Sequence, residues 1–263
     1  MINTATIALA RMAFPRGLEQ PEGSLRFGMD ALLLSAFVAR HVETESHRRH
    51  PPLVVELGCG CGAALLGLAL RCPSVCGLGL DREKALVSAA ERNAMRLGLA
   101  DRVSFMVANF ADVRFLHTLT HSVYNTSLEG KLDMVLANPP FDIKGRASPH
   151  ELRERGLRAA HQEGDPLEVF CRAATMLLRH LGFFFCIWHA LSLPRLCLAM
   201  DKAGLGLRHV LPVVPQQDLP AKRVLVVARK NAAHNSVLEA PLPLHDKNHG
   251  WTDAALDFCP YLA

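Results

Sequence analysis

The sequence has few aromatic residues, little net charge and no long apolar run. Phe, Trp and Tyr together make up 6% of the 263 residues, so the core is expected to be mostly aliphatic. The formal net charge of +4 permits a nucleic-acid partner without requiring one. No apolar run approaches the ~20 residues that span a bilayer, and no secretory signal opens the chain. These absences predict a cytoplasmic protein with no membrane partner.

The cysteines also lack a metal-binding pattern. The chain has 8 of them, scattered from Cys59 to Cys259, and no two form a Cys-x-x-Cys pair. Small buried hydrophobic residues in a reducing compartment are the simpler interpretation. The sequence therefore predicts no metal site.

What the chain does have is an alternation of strand and helix patterns, which predicts one α/β domain. Such alternation is typical of a mostly parallel sheet with helices on both faces. A short loop joins the last two of seven predicted strands, so the last strand should be antiparallel. The predicted strands are Pro52–Leu57, Val75–Leu80, Val103–Val107, Leu132–Ala137, Gly182–Trp188, Leu207–Val214 and Val224–Ala228.

Residues 1–263 are interpreted as a single domain in three parts. These parts are an N-terminal arm and helix over residues 1–50, a core over 51–230 and a C-terminal tail over 231–263. Prolines and glycines predict an irregular arm over residues 1–23. The apolar run Ala31–Ala39 predicts a buried helix with Asp30 as its N-cap. A further helix is predicted over Leu167–His180.

A glycine-rich turn follows the first predicted strand. Gly58, Gly60 and Gly62 let the backbone approach a ligand and adopt positive φ. With Ala63 the turn also fits a dinucleotide fingerprint, so the glycines alone leave the ligand open. Glu56 favours S-adenosyl-L-methionine, because a carboxylate there suits its ammonium and sulfonium and would repel a pyrophosphate.

Polar residues follow the next two strands. Asp81 is expected to accept the ribose hydroxyls of the cofactor and also to start the next helix. Asn109 either meets the adenine amine, with Phe110 against the ring, or forms an ordinary Asx turn. The predicted cofactor contacts from the residues themselves are Glu56, Gly58, Cys59, Gly60, Gly62, Asp81, Arg82, Asn109, Phe110 and Asn138.

The segment Asn138-Pro139-Pro140-Phe141 follows the fourth predicted strand. Proline cannot donate to a sheet ladder and holds the preceding residue extended, so the strand must end there. The turn displays an amide, free carbonyls and a ring at the sheet edge where open α/β proteins bind ligands. A pocket for a flat group that carries an NH2 is the natural interpretation. The predicted catalytic residues are Asn138, Pro139, Pro140 and Phe141.

A basic stretch follows this turn. Residues 142–164 mix arginine and lysine with glycine and proline, which is typical either of a flexible flap that binds phosphate or of a plain solvated loop. The predicted RNA contacts are Lys144, Arg146, Arg153, Arg155, Arg158, Lys222 and Arg223.

Together these motifs resemble class I S-adenosylmethionine-dependent methyltransferases that methylate amino groups. Arg26 to Asp30, Asn138 to Phe141, Arg223 to Val226 and Leu244 to Asp246 are similar to the tRNA1(Val) adenine-37 N6-methyltransferase family. The resemblance implies a seven-stranded sheet, with Asp30 near the methionine end of the cofactor and the preceding arm over the site. The family usually has Asp where this chain has Asn109.

The leading hypothesis is therefore an RNA adenine-N6 methyltransferase that acts on tRNA as a monomer or homodimer. A protein-glutamine or guanine-N2 methyltransferase would need the same Asn-Pro-Pro turn, and a binding module without catalysis would lack cofactor affinity. In the leading hypothesis, Asn138 Oδ1 and the Pro139 carbonyl accept from the target amine. Those bonds strengthen as the nitrogen becomes tetrahedral.

Overall fold

The computed structural model describes residues 3–24, 26–44, 51–121, 126–140 and 165–263. The helices are α1 Thr4–Ala13, α2 Met29–Thr44, α3 Ala63–Arg71, α4 Lys84–Arg96, α5 Val113–Thr118, α6 Pro166–Leu177, α7 Leu193–Lys202 and α8 Asp253–Phe258, with 3-10 turns at Ala190–Ser192 and Pro260–Leu262. The strands are β1 Leu53–Leu57, β2 Cys76–Asp81, β3 Val103–Val107, β4 Thr120–His121, β5 Thr126–Ser127, β6 Leu132–Ala137, β7 Leu178–His189, β8 Leu205–Val214, β9 Arg223–Lys230, β10 Val237–Leu238 and β11 Leu242–Pro243.

One large sheet runs through the described part of the chain in the order β10-β8-β9-β7-β6-β1-β2-β3, and β11 also pairs with β8. The strands β3, β2, β1, β6 and β7 are mutually parallel. Strand β9 is antiparallel to both β7 and β8. The predicted mostly parallel sheet with an antiparallel last strand is confirmed. The strands β2 and β3 lie on one side of β1, and β6 and β7 lie on its other side. The order of the strands therefore reverses between β1 and β6, which is the topological switch point.

Helices cover both faces of this sheet, and the side chains of β1 show how. Val54 packs with the cluster formed by α2, α3, α4 and α8. Val55 and Leu57 point to the opposite cluster, which α5, α6 and α7 cover. Alternate residues of a strand face opposite sides, so a strand buried on both faces is apolar nearly throughout. The exception in β1 is Glu56, which is buried at 3% exposure.

Three of the predicted local structures are wrong. The arm is irregular only after Ala13, because Thr4–Ala13 forms α1 with the Asn3 side chain capping its first turn. Helix α2 begins at Met29, so Asp30 lies in the first turn and is not the N-cap. Helix α6 ends at Leu177 rather than His180, and Leu178 already pairs with β6 across a register shift. For α6 the apolar pattern continues past Leu177 into β7, so the pattern alone does not mark where the helix ends.

All eight cysteines are free, and six of them are buried. In the described ranges, no group of three or more His, Cys, Asp or Glu side chains is arranged to hold a metal ion. No described helix combines the length and apolarity needed to cross a membrane.

Candidate cofactor and acceptor site

Strand register brings the predicted site residues to one edge of the sheet. Leu57 pairs with Leu80 of β2 and with Ala137 of β6. The next residues along the chain after these three are Gly58, Asp81 and Asn138, which therefore lie side by side at the carboxyl edge. This edge adjoins the switch point, where open α/β sheets bind their ligands.

The glycine turn is built from backbone hydrogen bonds and positive φ angles. The φ values of Gly58, Gly60 and Gly62 are 68°, 55° and 86°. The Gly58 N–H donates to the Leu80 carbonyl at 2.8 Å, and the Gly62 N–H donates to the Cys59 carbonyl at 2.9 Å. A Cβ placed at Gly60 would meet no atom of the described residues within 4 Å, so the turn faces open space there. This open backbone cradle fits a ligand that lies close to the main chain.

Asp81 holds the turn to the neighbouring strand. Its Oδ2 accepts from the Gly60 N–H at 2.8 Å, and its Oδ1 accepts from the Glu83 N–H at 3.0 Å. Burial raises the pKa of this carboxyl, while the two N–H donors act in the opposite direction. Asp81 thus fixes both the turn and the start of α4, and its contact with a ribose stays a prediction.

Glu56 lies beneath the turn. Its Oε2 accepts from the Leu65 N–H in the first turn of α3 at 3.0 Å. Burial, aided by the charge of Asp81, raises the pKa of Glu56 to about 8, and the bond from Leu65 opposes this shift. A buried carboxylate is costly unless it meets a cation or a donor, and the Leu65 N–H supplies a donor here. A direct contact with the cofactor stays a prediction.

At the end of β3, Asn109 forms the Asx turn that was one of its two expected roles. Its Oδ1 accepts from the Ala111 N–H at 3.2 Å and from Arg82 Nη2 at 3.1 Å. The neighbouring Phe110 ring meets the edge of Phe170, with ring centroids 4.8 Å apart.

Phe170 was missed by the sequence analysis. It lies on α6, and a Cβ at Gly58 would sit 3.2 Å from its ring. The ring therefore closes one side of the glycine turn. Its apolar position on an amphipathic helix looks like any core residue, so no local signal distinguishes it.

The Asn138 turn begins where it was predicted to begin. Strand β6 ends at Ala137, Pro139 is buried, and Asn138 and Pro140 are half-buried. No other residue in the described ranges hydrogen-bonds to the Asn138 side chain, which leaves its amide available to a ligand. Several predicted contacts lie outside the described residues; these are Phe141, Lys144, Arg146, Arg153, Arg155 and Arg158.

Two more predicted residues meet at the same edge. Arg223 pairs in register with His189, at the carboxyl end of β7. Its Nε lies 2.9 Å from Asp30 Oδ2, which fastens the start of α2 beside the site. Lys222 is exposed next to it. Contacts of Arg223 and Lys222 with phosphate, and of Asp30 with the cofactor, stay predictions.

Comparison with known proteins shows the family of this chain. Residues 31–165 match the methyltransferase small domain. A human MTRF1L release factor glutamine methyltransferase is 32% identical over 90 residues, which are 34% of this chain and 24% of the relative. A release factor glutamine methyltransferase from Rhodospirillum rubrum is 28% identical over 198 residues, 72% of this chain and 53% of the relative. The chain thus spans between about a quarter and about half the length of these two relatives.

Solved structures agree on the fold. A predicted O-methyltransferase from Agrobacterium tumefaciens has a TM-score of 0.65 at 20% identity, covering 89% of this chain and 97% of its own. A SAM-dependent O-methyltransferase from Thermotoga maritima has a TM-score of 0.51 at 14% identity, covering 86% of this chain and 72% of its own. The architecture is that of class I methyltransferases.

Proposed function

We propose that this chain, which belongs to the methyltransferase small domain family, methylates the side-chain amide of a glutamine in a protein substrate. The methyl donor is S-adenosyl-L-methionine. The observation that carries the proposal is the half-buried Asn138 amide, which has no protein partner in the described ranges and lies beside the glycine turn.

The acceptor assignment is supported by the relatives. Those of human and Rhodospirillum rubrum origin are named release factor glutamine methyltransferases. A glutamine amide and an adenine amine share the same chemistry, because both are planar NH2 groups with a delocalised lone pair. The Asn-Pro-Pro turn suits either one, so the relatives favour glutamine over the tRNA adenine expected from the sequence.

Adenine N6 in RNA is the second candidate, and one observation favours it. Arg223 and Asp30, which belong to two segments of the tRNA methyltransferase resemblance, form an ion pair 2.9 Å long beside the acceptor edge. The human glutamine methyltransferase aligns with 34% of this chain, and the one from Rhodospirillum rubrum aligns with 72%. The product of the reaction therefore has to decide between the two.

The chain's own groups would perform three tasks. When bound, the cofactor supplies an electrophilic methyl group on a sulfonium. The glycine turn and Asp81 would hold the cofactor, and Phe170 and Phe110 would exclude water from one side of it. Asn138 Oδ1 and the Pro139 carbonyl accept from the two N–H groups of the acceptor, and these bonds strengthen as its nitrogen becomes tetrahedral. Transfer would break the S–CH3 bond and form an N–CH3 bond, so the positive charge would pass from sulfur to nitrogen until the nitrogen releases one N–H proton to water. Because the charge is dispersed in the transition state, a dry, well-oriented pocket favours the step.

The test uses labelled S-adenosyl-L-methionine with two separate acceptors, a purified release factor and total tRNA. Digestion and mass spectrometry identify the product in each. N5-methylglutamine in the release factor supports the leading proposal, and N6-methyladenosine in tRNA supports the second candidate. Asn138→Ala is the background control, and Asn235→Ala, an exposed amide at the opposite sheet edge, is the matched control. Methylation of a ring nitrogen or a ribose would contradict both.

A further inference from the structure

Asn93 on α4 is an almost fully buried amide whose hydrogen bonds join two distant parts of the chain. It is 1% exposed. Its Oδ1 accepts from the Glu19 N–H at 2.8 Å, and its Nδ2 donates to the Glu19 carbonyl at 3.0 Å. The same Nδ2 also donates to the Cys61 carbonyl at 3.1 Å. One planar group therefore holds both the N-terminal segment and the middle of the glycine turn.

The segment that Asn93 grips is the strap, defined here as residues 14–24. Arg92 binds both carboxylate oxygens of Glu19, at 2.8 Å and 2.5 Å. Arg96 Nη1 donates to the Gly17 carbonyl at 2.8 Å. Gln20 Oε1 accepts from the Phe27 N–H at 2.9 Å, which links the strap to the residues before α2. The strap thus runs from α4, beside the glycine turn, toward the ion pair at Asp30.

We infer that Asn93 is a positioning residue that couples docking of the strap to the shape of the cofactor turn. The inference rests on the proposed cofactor site at Gly58 to Gly62. The Cys61 carbonyl lies between two glycines with positive φ, where side chains do little to restrict the backbone. Asn93 supplies that restriction, and it can do so only while Glu19 holds the amide from the other side.

The coupling has a consequence in both directions. If the docked strap favours the turn that binds cofactor, then bound cofactor must favour the docked strap by the same factor. Glu19 lies in the strap and bonds to Asn93 rather than to the turn itself. Protection of its amide on cofactor binding would therefore report the coupling and not a direct contact.

The experiment measures hydrogen exchange and S-adenosylhomocysteine affinity in the full chain. In the wild type, saturating S-adenosylhomocysteine should slow exchange at the Glu19 amide by between about 5-fold and about 100-fold, the usual range of coupling between sites. Asn93→Ala should abolish that effect and weaken S-adenosylhomocysteine binding by a similar factor. Arg92→Ala, which loses the Glu19 ion pair but keeps Asn93, should retain the effect.

A matched control separates coupling from general destabilisation. Thr175→Ala removes a partly buried hydrogen bond to the Ala203 carbonyl on the opposite face of the sheet. It should leave both the S-adenosylhomocysteine affinity and the Glu19 response unchanged. An unchanged Glu19 amide in ligand-saturated wild type would overturn the coupling alone, even if Asn93→Ala fails to fold. Failure of the wild type to bind S-adenosylhomocysteine would overturn the proposed function, and the coupling with it.

Discussion

The proposed chemistry depends most on one residue, Asn138. It follows β6 at the carboxyl edge and is half-buried, so its removal should disturb little packing. Asn138→Ala should lower turnover by about 10²–10³, the usual effect of losing one pre-organised hydrogen bond to a transition state. Thermal stability and S-adenosylhomocysteine affinity should change little. Single-turnover kinetics on the verified acceptor measure the step, and near-normal turnover would exclude Asn138 from it.

A second prediction concerns how stability depends on pH, because the pKa of Glu56 is raised to about 8 in the folded protein. Between the unfolded value near 4.5 and that value, the folded state binds a proton that the unfolded state has released. The free energy of unfolding must therefore fall as pH rises through this window, by at most about 1.4 kcal/mol per pH unit. Glu56→Gln keeps an acceptor for the Leu65 N–H and should remove this component.

Urea denaturation of the unliganded protein from pH 5 to pH 8 measures that difference. The variant should gain stability relative to the wild type as pH rises. Glu91→Gln, at an exposed position on α4, serves as the control and should follow the wild type. Parallel curves for Glu56→Gln and wild type would show that Glu56 is ionised in the folded state at low pH.

Among the elements, α6 has the most direct effect on the site through Phe170. This ring is 6% exposed, packs on Phe110 and lies over Gly58. Phe170→Ala should destabilise the fold by about 3–5 kcal/mol, the usual cost of an emptied aromatic position. It should also weaken S-adenosylhomocysteine binding, because water then reaches the turn. Urea denaturation and calorimetry measure the two effects.

The matched substitution is Leu198→Ala on α7, whose side chain is 57% exposed. It should change stability by no more than about 0.5 kcal/mol and leave cofactor affinity unchanged. If Phe170→Ala loses stability but keeps its S-adenosylhomocysteine affinity, then Phe170 stabilises the core and does not contribute to cofactor binding.

The sheet was predictable from sequence because its strands are apolar runs of the right length. Leu132–Ala137 was predicted with its observed bounds, and the antiparallel β9 followed from the short loop before it. The site edge was predictable for a related reason, since parallel strands end together. Glycines and polar residues directly after β1, β2 and β6 must then be neighbours.

What sequence could not supply is the pairing of residues that are far apart in the chain. The contacts of Phe170 with Gly58 and of Asn93 with Cys61 depend on tertiary packing and leave no local pattern. Helix α1 was missed for a different reason, because the prolines and glycines after Phe14 dominated the interpretation of residues 1–23. The division into residues 1–50, 51–230 and 231–263 stays a prediction, although β10 and β11 join the main sheet through β8.

At the scale of the whole molecule, the Asp30–Arg223 ion pair joins positions 193 residues apart in sequence. It fastens the first turn of α2 to the first residue of β9, beside the carboxyl end of β7. The two side chains are 17% and 28% exposed, so solvent screens their attraction less than that of an exposed pair. The exposed comparison is Lys202–Glu168, whose side chains are 55% and 45% exposed.

Double-mutant cycles at the two pairs should therefore give different coupling energies. Asp30→Ala and Arg223→Ala should couple by about 1–3 kcal/mol, within the range for contacting residues. Lys202→Ala and Glu168→Ala should couple by no more than about 1 kcal/mol, as exposed ion pairs do. Urea denaturation at low and high salt measures both cycles, and salt should reduce the exposed coupling more. If the Asp30–Arg223 coupling is no larger than that of the exposed pair, then apolar packing, and not this ion pair, holds α2 beside β9.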